Sequence, residues 1–366
     1  MSINWPIIIV CAVGISLLLT ILIIPQVIHV SLVKRLFDRP SSRKVHNGIV
    51  PRLGGFSFLP VIMITLGLML VIPASTVDQG SLIGTDEFLL ALPDIVVLLA
   101  AMMIMFMTGL YDDLMDLKYG VKFLAQLLVA VFIVEAGEYI VDYNDLFGIT
   151  HTSVAVGKII TGFLLVYAIN ALNLIDGIDG LASGVCVICL CFYGTVLFVE
   201  SLYIYSMLSW IGAASMVVFW LFNVFGSKNR HTKIFMGDIG SLSIGLFLAF
   251  FAIVIARQPV TVSAWGIKPL ILMLSPLVIP LLDVIRVFCV RLIHGKSPFL
   301  ADKNHIHHLM LATGMQMRPV MGLLVIAQIA IMLLNLWLSY FVGINTIIIV
   351  DVVIYTGGIL IINANK

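Results

Sequence analysis

Eleven apolar runs, each close to the length that crosses a lipid bilayer, recur along the whole chain. They lie at 5–28, 55–74, 93–111, 121–137, 157–174, 181–200, 203–224, 239–256, 269–290, 319–341 and 346–362. A hydrocarbon core roughly 30 Å thick takes about 20 apolar residues in helical form. Backbone groups in lipid must bond within their own segment, so helices are the expected form, and the runs are too continuous for barrel strands. Composition agrees: 61% of residues are hydrophobic and 11% charged, where a soluble domain averages about 25% charged. Mean hydropathy is +1.16. The expected fold is all-α, a polytopic integral membrane protein with about 11 transmembrane helices in a single domain spanning 1–366.

Charge asymmetry orients the bundle. If the loop after the first crossing is cytoplasmic, that side collects seventeen of the twenty Lys and Arg residues, among them Lys34, Arg35, Lys44, Arg52, Lys122, Lys233 and Arg318. The other side holds only Lys158, Arg257 and Lys268. Positive-inside bias then puts the N-terminus outside and the C-terminus in the cytoplasm. No Lys or Arg precedes the first run and Lys34-Arg35 follow it, the reverse of a secretory signal, so this run is expected to stay in the mature chain.

The five cysteines all lie in apolar runs. Cys186 and Cys189 imitate a CxxC pair, but with no second pair or nearby His they read as packing. There is no internal repeat of the kind that builds duplicated transporters. The outer segment 138–156 is acidic and aromatic and suits a small hairpin, while the inner loops are longer and more polar.

Four polar clusters stand at the ends of these runs. Tyr111-Asp112-Asp113 closes the third, with Asp116 four residues beyond Asp112 and so on the same helical face. Adjacent carboxylates repel unless a cation or a bound proton relieves them, which points to Mg²⁺ or proton transfer; the plainer reading is a solvated helix end. Asn170-Ala-Leu-Asn173-Leu-Ile-Asp176-Gly-Ile-Asp179-Gly180 joins the fifth and sixth runs. Asp-Gly suits an ordinary turn. Asn170 and Asn173, however, lie inside the helix end, where a turn needs no amides, and polar groups there are costly unless used.

Phe235-Met-Gly-Asp238-Ile-Gly-Ser241 opens the eighth run. Asp238 or Ser241 is placed to cap that helix. The approach through Lys228, Arg230, His231 and Lys233 is cationic, which suits a metal bridging Asp238 to a phosphate. His305-Ile-His307-His308 has spacing for Zn²⁺ but no local Cys or carboxylate to complete a set, so anion binding is the better reading. Asp283 and Arg286, three apart, read as a structural pair. All four clusters fall on the cytoplasmic side of the expected topology. Carboxylates enough for one Mg²⁺ and a base, with cations enough for a pyrophosphate, fit phosphoryl transfer onto a lipid carrier.

These residues resemble the polyprenyl-phosphate N-acetylhexosamine-1-phosphate transferase family, also called glycosyltransferase family 4. The likeness rests on Asp38-x-Pro, Pro51-Arg-Leu-Gly-Gly55, Gly109-x-x-Asp112-Asp113, Lys122-x-x-x-Gln126, the Asn170–Gly180 segment, Phe235-Met-Gly-Asp238-x-Gly-Ser and His305-Ile-His-His308. The His-x-His-His form and eleven crossings are similar to the bacterial WecA/TagO branch. The muramoyl-pentapeptide branch has Pro-Leu-His-His-His near this point and ten crossings. One departure is the C-terminus, where many WecA-type proteins carry a long basic tail and this chain stops at Asn365-Lys366.

The resemblance implies transfer of a sugar 1-phosphate, with GlcNAc the expected sugar, from a UDP-N-acetylhexosamine to undecaprenyl phosphate. The products would be the undecaprenyl-pyrophosphoryl sugar and UMP, starting a cell-envelope glycan at the bacterial inner membrane. It implies Mg²⁺ as cofactor, with Mn²⁺ as substitute, held by Asn173 and Asp238. Asp112, with Asp113, would be catalytic, as base or direct nucleophile. Lys44, Lys122, Asn170, Asp176, Asp179, His305, His307 and His308 would contact nucleotide, sugar or phosphate. No nucleic-acid partner is implied, and a homodimer stays open. Within the family, an MraY-type phospho-MurNAc-pentapeptide transferase stays the alternative, and two rivals from other classes remain at this point. One is an intramembrane aspartyl protease, which Tyr111-Asp112 and Gly237-Asp238 imitate although Phe235 stands where that motif has Gly. The other is an ion-coupled transporter, which would hold its acids at mid-bilayer.

Overall fold

The computed structural model describes residues 4–36, 50–76, 86–227, 229–258, 266–295, 297 and 304–365. Among these, the expected runs appear as helices α1 (Trp5–Val33), α2 (Phe58–Thr76), α3 (Asp86–Met115), α4 (Tyr119–Glu135), α5 (Val154–Ile175), α6 (Leu181–Val199), α7 (Tyr203–Phe225) and α8 (Gly237–Ala256). The series continues with α9 (Pro269–Leu274), α10 (Val278–Ile293), α11 (Ile306–Leu311), α12 (Met317–Leu338) and α13 (Ile344–Ala364). Ten segments of the described chain are long and apolar enough to cross a membrane. The expected fourth crossing is α4, which at 17 residues spans about 26 Å.

α8 forms the centre. Every residue from Ile239 to Ala256 is buried, and α3, α5 and α6 pack around it. An all-round apolar helix has no face to offer solvent, so it takes the middle of the bundle. α13, by contrast, buries only Ile344, Ile347, Asp351, Tyr355 and Ile359, one stripe at helical spacing.

Two departures from the expected runs have physical causes. The third run was expected from 93, but α3 begins at Asp86 and carries Asp94 within it. Asp94 is tolerated because Arg257 Nη2 donates to it at 2.9 Å and the Tyr205 hydroxyl donates to the same carboxylate. The ninth run is broken into α9 and α10 by a 3₁₀ turn at Ser275–Leu277 that contains Pro276. A proline removes a donor and frees a carbonyl. Gln328 of α12 repairs the break, donating to the Ser275 carbonyl at 3.0 Å and accepting from the Ile279 amide at 3.0 Å. Tyr193 donates to the Met273 carbonyl at 2.6 Å, and Cys189 to that of Pro276 at 3.0 Å. The cysteines are free, as expected of packing residues.

The expected hairpin is present as strands β1 (Asp142–Leu146) and β2 (Ile149–His151), paired antiparallel. It lies at the end of the bundle remote from the polar clusters, where Lys268 and Asn345 bond to it.

Candidate active site

Three of the four clusters meet at the N-terminus of α8. The first four amides of any helix lack intrahelical partners. Here Asp113 of α3 supplies partners for two of them from another helix. Its Oδ1 accepts from the Asp238 amide at 3.1 Å and its Oδ2 from the Ile239 amide at 3.0 Å. Arg52 Nε lies 3.9 Å from the same carboxylate, whose side chain is fully buried. Gly237 has φ +71°, and a Cβ there would strike the Arg52 carbonyl and Asp113, so only glycine fits this entry to the helix. Opposite it, the Pro51–Gly55 segment pairs with the chain before α8. The Phe235 amide donates to the Pro51 carbonyl at 2.8 Å, and Gly54 and Gly55 donate to Phe235 and Met236 at 2.9 Å each.

Asp112, the neighbour of Asp113, faces the other way. Its Oδ1 accepts the Leu117 amide at 2.8 Å and its Oδ2 meets Lys122 Nζ at 2.7 Å. The same ammonium lies 3.6 Å from Asp238 Oδ1. Asn173 Nδ2 completes this group, donating to Asp238 Oδ1 at 2.8 Å and to Ser241 Oγ at 2.7 Å. Asp112, Lys122, Asn173 and Asp238, taken from four helices, therefore form one connected centre. Asp116 does not join it. The residue stands past the end of α3 at φ +53° and is exposed, so the expected shared face with Asp112 is not formed.

The Asn170–Gly180 segment divides in two. Asn170 and Asn173 are in the last turns of α5, while Asp176 ends the helix and Gly180, at φ +80°, starts the next. Asn173, Asp176 and Asp179, three residues apart in sequence, therefore do not share one helical face, because a turn separates them. Asn170 is committed to Gln126, accepting from it at 3.4 Å and donating back at 2.7 Å. Asp179 is paired with Lys233. The expected cationic approach to Asp238 is thus redistributed, since Lys233 serves Asp179 and Lys122 serves Asp238. Burial beside Asp238, Asp179 and Asp113 pushes the Asp176 carboxyl up to about 7. Asn223 of α7, which the sequence reading passed over, pins this turn by accepting from the Gly180 amide at 2.6 Å and donating to the Ile234 carbonyl at 2.8 Å.

The imidazoles come next. His307 is fully buried and lies against Gly177, where a Cβ would collide with its ring. Neither of its ring nitrogens has a hydrogen-bond partner among the described residues. Burial, with His308 and His305 nearby, holds its pKa down at about 3. The rings of His305 and His307 are parallel at 5.9 Å, and His308 lies 4.1 Å from His307. Asp283 is not simply the partner of Arg286. It accepts from Arg286 at 2.9 Å and also binds His305 Nδ1 at 2.7 Å. Lys44, and with it Lys228, lies outside the described residues.

Among the described residues, no three His, Cys, Asp or Glu side chains converge as a ready-made metal group. Mg²⁺ seldom asks for one. It takes one or two carboxylates and completes its octahedron with water and phosphate oxygens. Asp112 and Asp238 converge on a single cation, Lys122, and so supply two carboxylates at one point, a donor set that fits.

Fold and site together define a polytopic helical membrane protein with a dense cluster of acids, amides and imidazoles at one end of its bundle. The chain belongs to glycosyl transferase family 4, which it matches over residues 95–256. It is 31% identical to an undecaprenyl-phosphate α-N-acetylglucosaminyl 1-phosphate transferase of Yersinia pestis over 80% of this chain and 74% of that protein. It is also 31% identical to a probable undecaprenyl-phosphate N-acetylglucosaminyl 1-phosphate transferase of Bacillus subtilis (strain 168), over 96% of this chain and 93% of that one. The corresponding transferase of Escherichia coli (strain K12) is 29% identical over 80% of this chain.

Proposed function

We propose that this protein transfers N-acetylglucosamine 1-phosphate from UDP-N-acetylglucosamine to undecaprenyl phosphate, at the cytoplasmic face of a bacterial inner membrane, as a single membrane domain. The observation that carries the reading is the centre built by Asp112, Lys122, Asn173 and Asp238, with the turn of Asp176 and Asp179 and the three imidazoles beside it. Relatives named as undecaprenyl-phosphate N-acetylglucosaminyl 1-phosphate transferases, or probable ones, match 80–96% of the chain, which supports the reading.

In the reaction, an oxygen of the lipid phosphate attacks the phosphorus that carries the sugar. The bond from that phosphorus to the bridging oxygen breaks, and UMP leaves with the electron pair. Asp112 takes the proton of the lipid phosphate monoester, or attacks first itself in a double displacement. Lys122 neutralises charge that would otherwise gather between Asp112 and Asp238 and the incoming phosphates. Asp238, with Asn173, would hold Mg²⁺, for which Mn²⁺ is a chemical substitute. When bound, the ion supplies Lewis-acid neutralisation of the pyrophosphate. His307, with two buried nitrogens lacking protein partners, offers hydrogen bonds that a phosphate or sugar oxygen can complete. Asp176 and Asp179 border the nucleotide.

An aspartyl protease dyad needs two carboxylates sharing one proton. Asp112 and Asp238 are joined here by Lys122, and a protease has no use for the Asn170–Gly180 turn or the three imidazoles, which argues against that rival. The acids also stand at helix ends rather than at mid-depth, against a transporter. Purified protein given UDP-N-acetylglucosamine, undecaprenyl phosphate and Mg²⁺ is expected to release UMP. No UMP from any UDP-N-acetylhexosamine overturns the proposal.

A further inference from the structure

We propose that Asp283 and Tyr355 are positioning residues for His305, and that the last helix of the chain is thereby part of the active site. The inference rests on the reading above, in which the three imidazoles lie beside the reacting centre.

Asp283 is an acid inside the ninth crossing and only 2% exposed. Such a carboxylate is expensive in a membrane protein and is retained where it holds something. It gathers four donors. His305 Nδ1 binds its Oδ2 at 2.7 Å, while the Ile306 amide at 2.9 Å, the Tyr355 hydroxyl at 2.8 Å and Arg286 Nη2 at 2.9 Å all reach Oδ1. Arg286 also donates to the Asn304 carbonyl, and its Nε donates to Tyr355 at 3.2 Å. The backbone on both sides of His305 is therefore tied to the same pair of charges. This exceeds what a structural ion pair within α10 requires.

The consequence for His305 is directional. With Nδ1 engaged by the carboxylate, the ring plane is fixed and Nε2, on the opposite edge, is the nitrogen available to a ligand. His305 in turn lies parallel to His307, which packs on Gly177 of the nucleotide-side turn. Tyr355 is 72 residues from Asp283 in sequence and is brought by α13, the least buried of the ten long crossings. That helix mostly faces lipid, yet one phenol reaches the carboxylate that aims the histidine. Asparagine is a poor substitute at position 283, because its NH₂ would face donors on one side.

The test uses the full-length protein in detergent or nanodiscs, with UMP release from UDP-N-acetylglucosamine as readout. Asp283→Asn is expected to lower kcat/KM for the donor roughly 10–100-fold, by analogy with the cost of removing the outer partner of a metal-bound histidine. Tyr355→Phe, which removes one oxygen and leaves the packing, is expected to lower it several-fold. The deciding measurement places each change in a His305→Gln background. If Asp283 and Tyr355 act through His305, each costs less than about twofold there. Losses that multiply with His305→Gln overturn the proposal and leave Asp283 a fold-stabilising acid. Should Asp283→Asn fail to fold, Tyr355→Phe decides alone by the same comparison. Wild-type protein that makes no UMP strikes the transferase reading itself and takes this inference down with it, an outcome distinct from multiplying losses in an active enzyme.

Discussion

At the residue scale, two adjacent acids have been given opposite work. Asp113 spends both oxygens on the amides that open α8, whereas Asp112 presents its carboxylate to Lys122 beside Asp238. Asp113→Asn keeps one acceptor and sets an NH₂ against an amide donor. It is expected to cost about 1–2 kcal/mol of stability, in the range of a lost helix cap, and to lower the melting temperature along with activity. Asp112→Asn can keep the Leu117 amide on its remaining oxygen and turn its NH₂ towards the partly exposed Lys122. It is expected to lower melting less than Asp113→Asn while cutting kcat more, as for a group that acts mainly in the transition state. Equal melting losses in both variants would undo this division. His307 supports a prediction about pH. Its folded pKa near 3 lies below the ordinary 6.5, with His305, His308 and Asp283 as its titratable neighbours. Below pH 6.5 the unfolded chain takes up this proton and the folded one does not, so stability falls as pH drops from 6.5 towards 3. At pH 5 the loss is ~2 kcal/mol by linkage. His307→Asn should flatten the fall in melting temperature between pH 7 and pH 5; an unchanged slope would mean that the imidazole is not held neutral.

At the scale of elements, the broken ninth crossing carries a prediction of its own. Gln328 supplies both halves of the repair around Pro276, and it is fully buried. Gln328→Leu keeps the volume but strands the Ser275 carbonyl and the Ile279 amide where no water can reach, at about 1–3 kcal/mol for each group. A clear drop in melting temperature is expected, with a fall in turnover because α10 carries Asp283. Melting equal to wild type would show that the break is satisfied otherwise. The same region shows what was legible beforehand. Helices α5, α6, α7 and α8 were readable almost to their ends because hydropathy alone decides where a backbone can sit in lipid. The start of α3 was not, since Pro93, where the expected run begins, suits the first turn of a helix and instead lies inside one that starts at Asp86. Asp94 beside it is made acceptable by Arg257 and Tyr205, 163 and 111 residues away. In the site, acids in odd places were visible from the sequence. Their pairing was not, because Lys122 with Asp112, Lys233 with Asp179 and His305 with Asp283 depend on which helices are neighbours. Asn223 showed as nothing more than an amide in an apolar helix, and Tyr355 showed no signal at all.

At the scale of the whole molecule, the two ends of the bundle differ in chemistry, and that difference predicts orientation. One end holds the acids, amides and imidazoles of the candidate site. The other holds the hairpin, where Lys268 bonds to Asn144, and the buried Glu138 paired with the half-buried Arg257 at 2.7 Å. In the expected topology the side of the site carries nearly all the Lys and Arg of the chain, and a nucleotide sugar is a cytoplasmic metabolite in the proposed reaction. The expected arrangement therefore puts the hairpin outside the cell and His231, an exposed residue before α8, inside it. The odd number of crossings this needs depends on α4, which must cross with only 17 residues. If α4 merely lay on the surface, everything after it would be inverted and the Asn170–Gly180 turn would separate from Asp112 by the full membrane. Its Lys122 and Gln126 bond to Asp112 and Asn170, at one end of the bundle, which favours a true crossing. Single cysteines decide it: with the five native cysteines replaced, Phe147→Cys at the hairpin tip should react with an impermeant maleimide on intact cells. His231→Cys should react only after the membrane is opened. Labelling of His231→Cys on intact cells would reverse the orientation and remove the site from the compartment that supplies its donor.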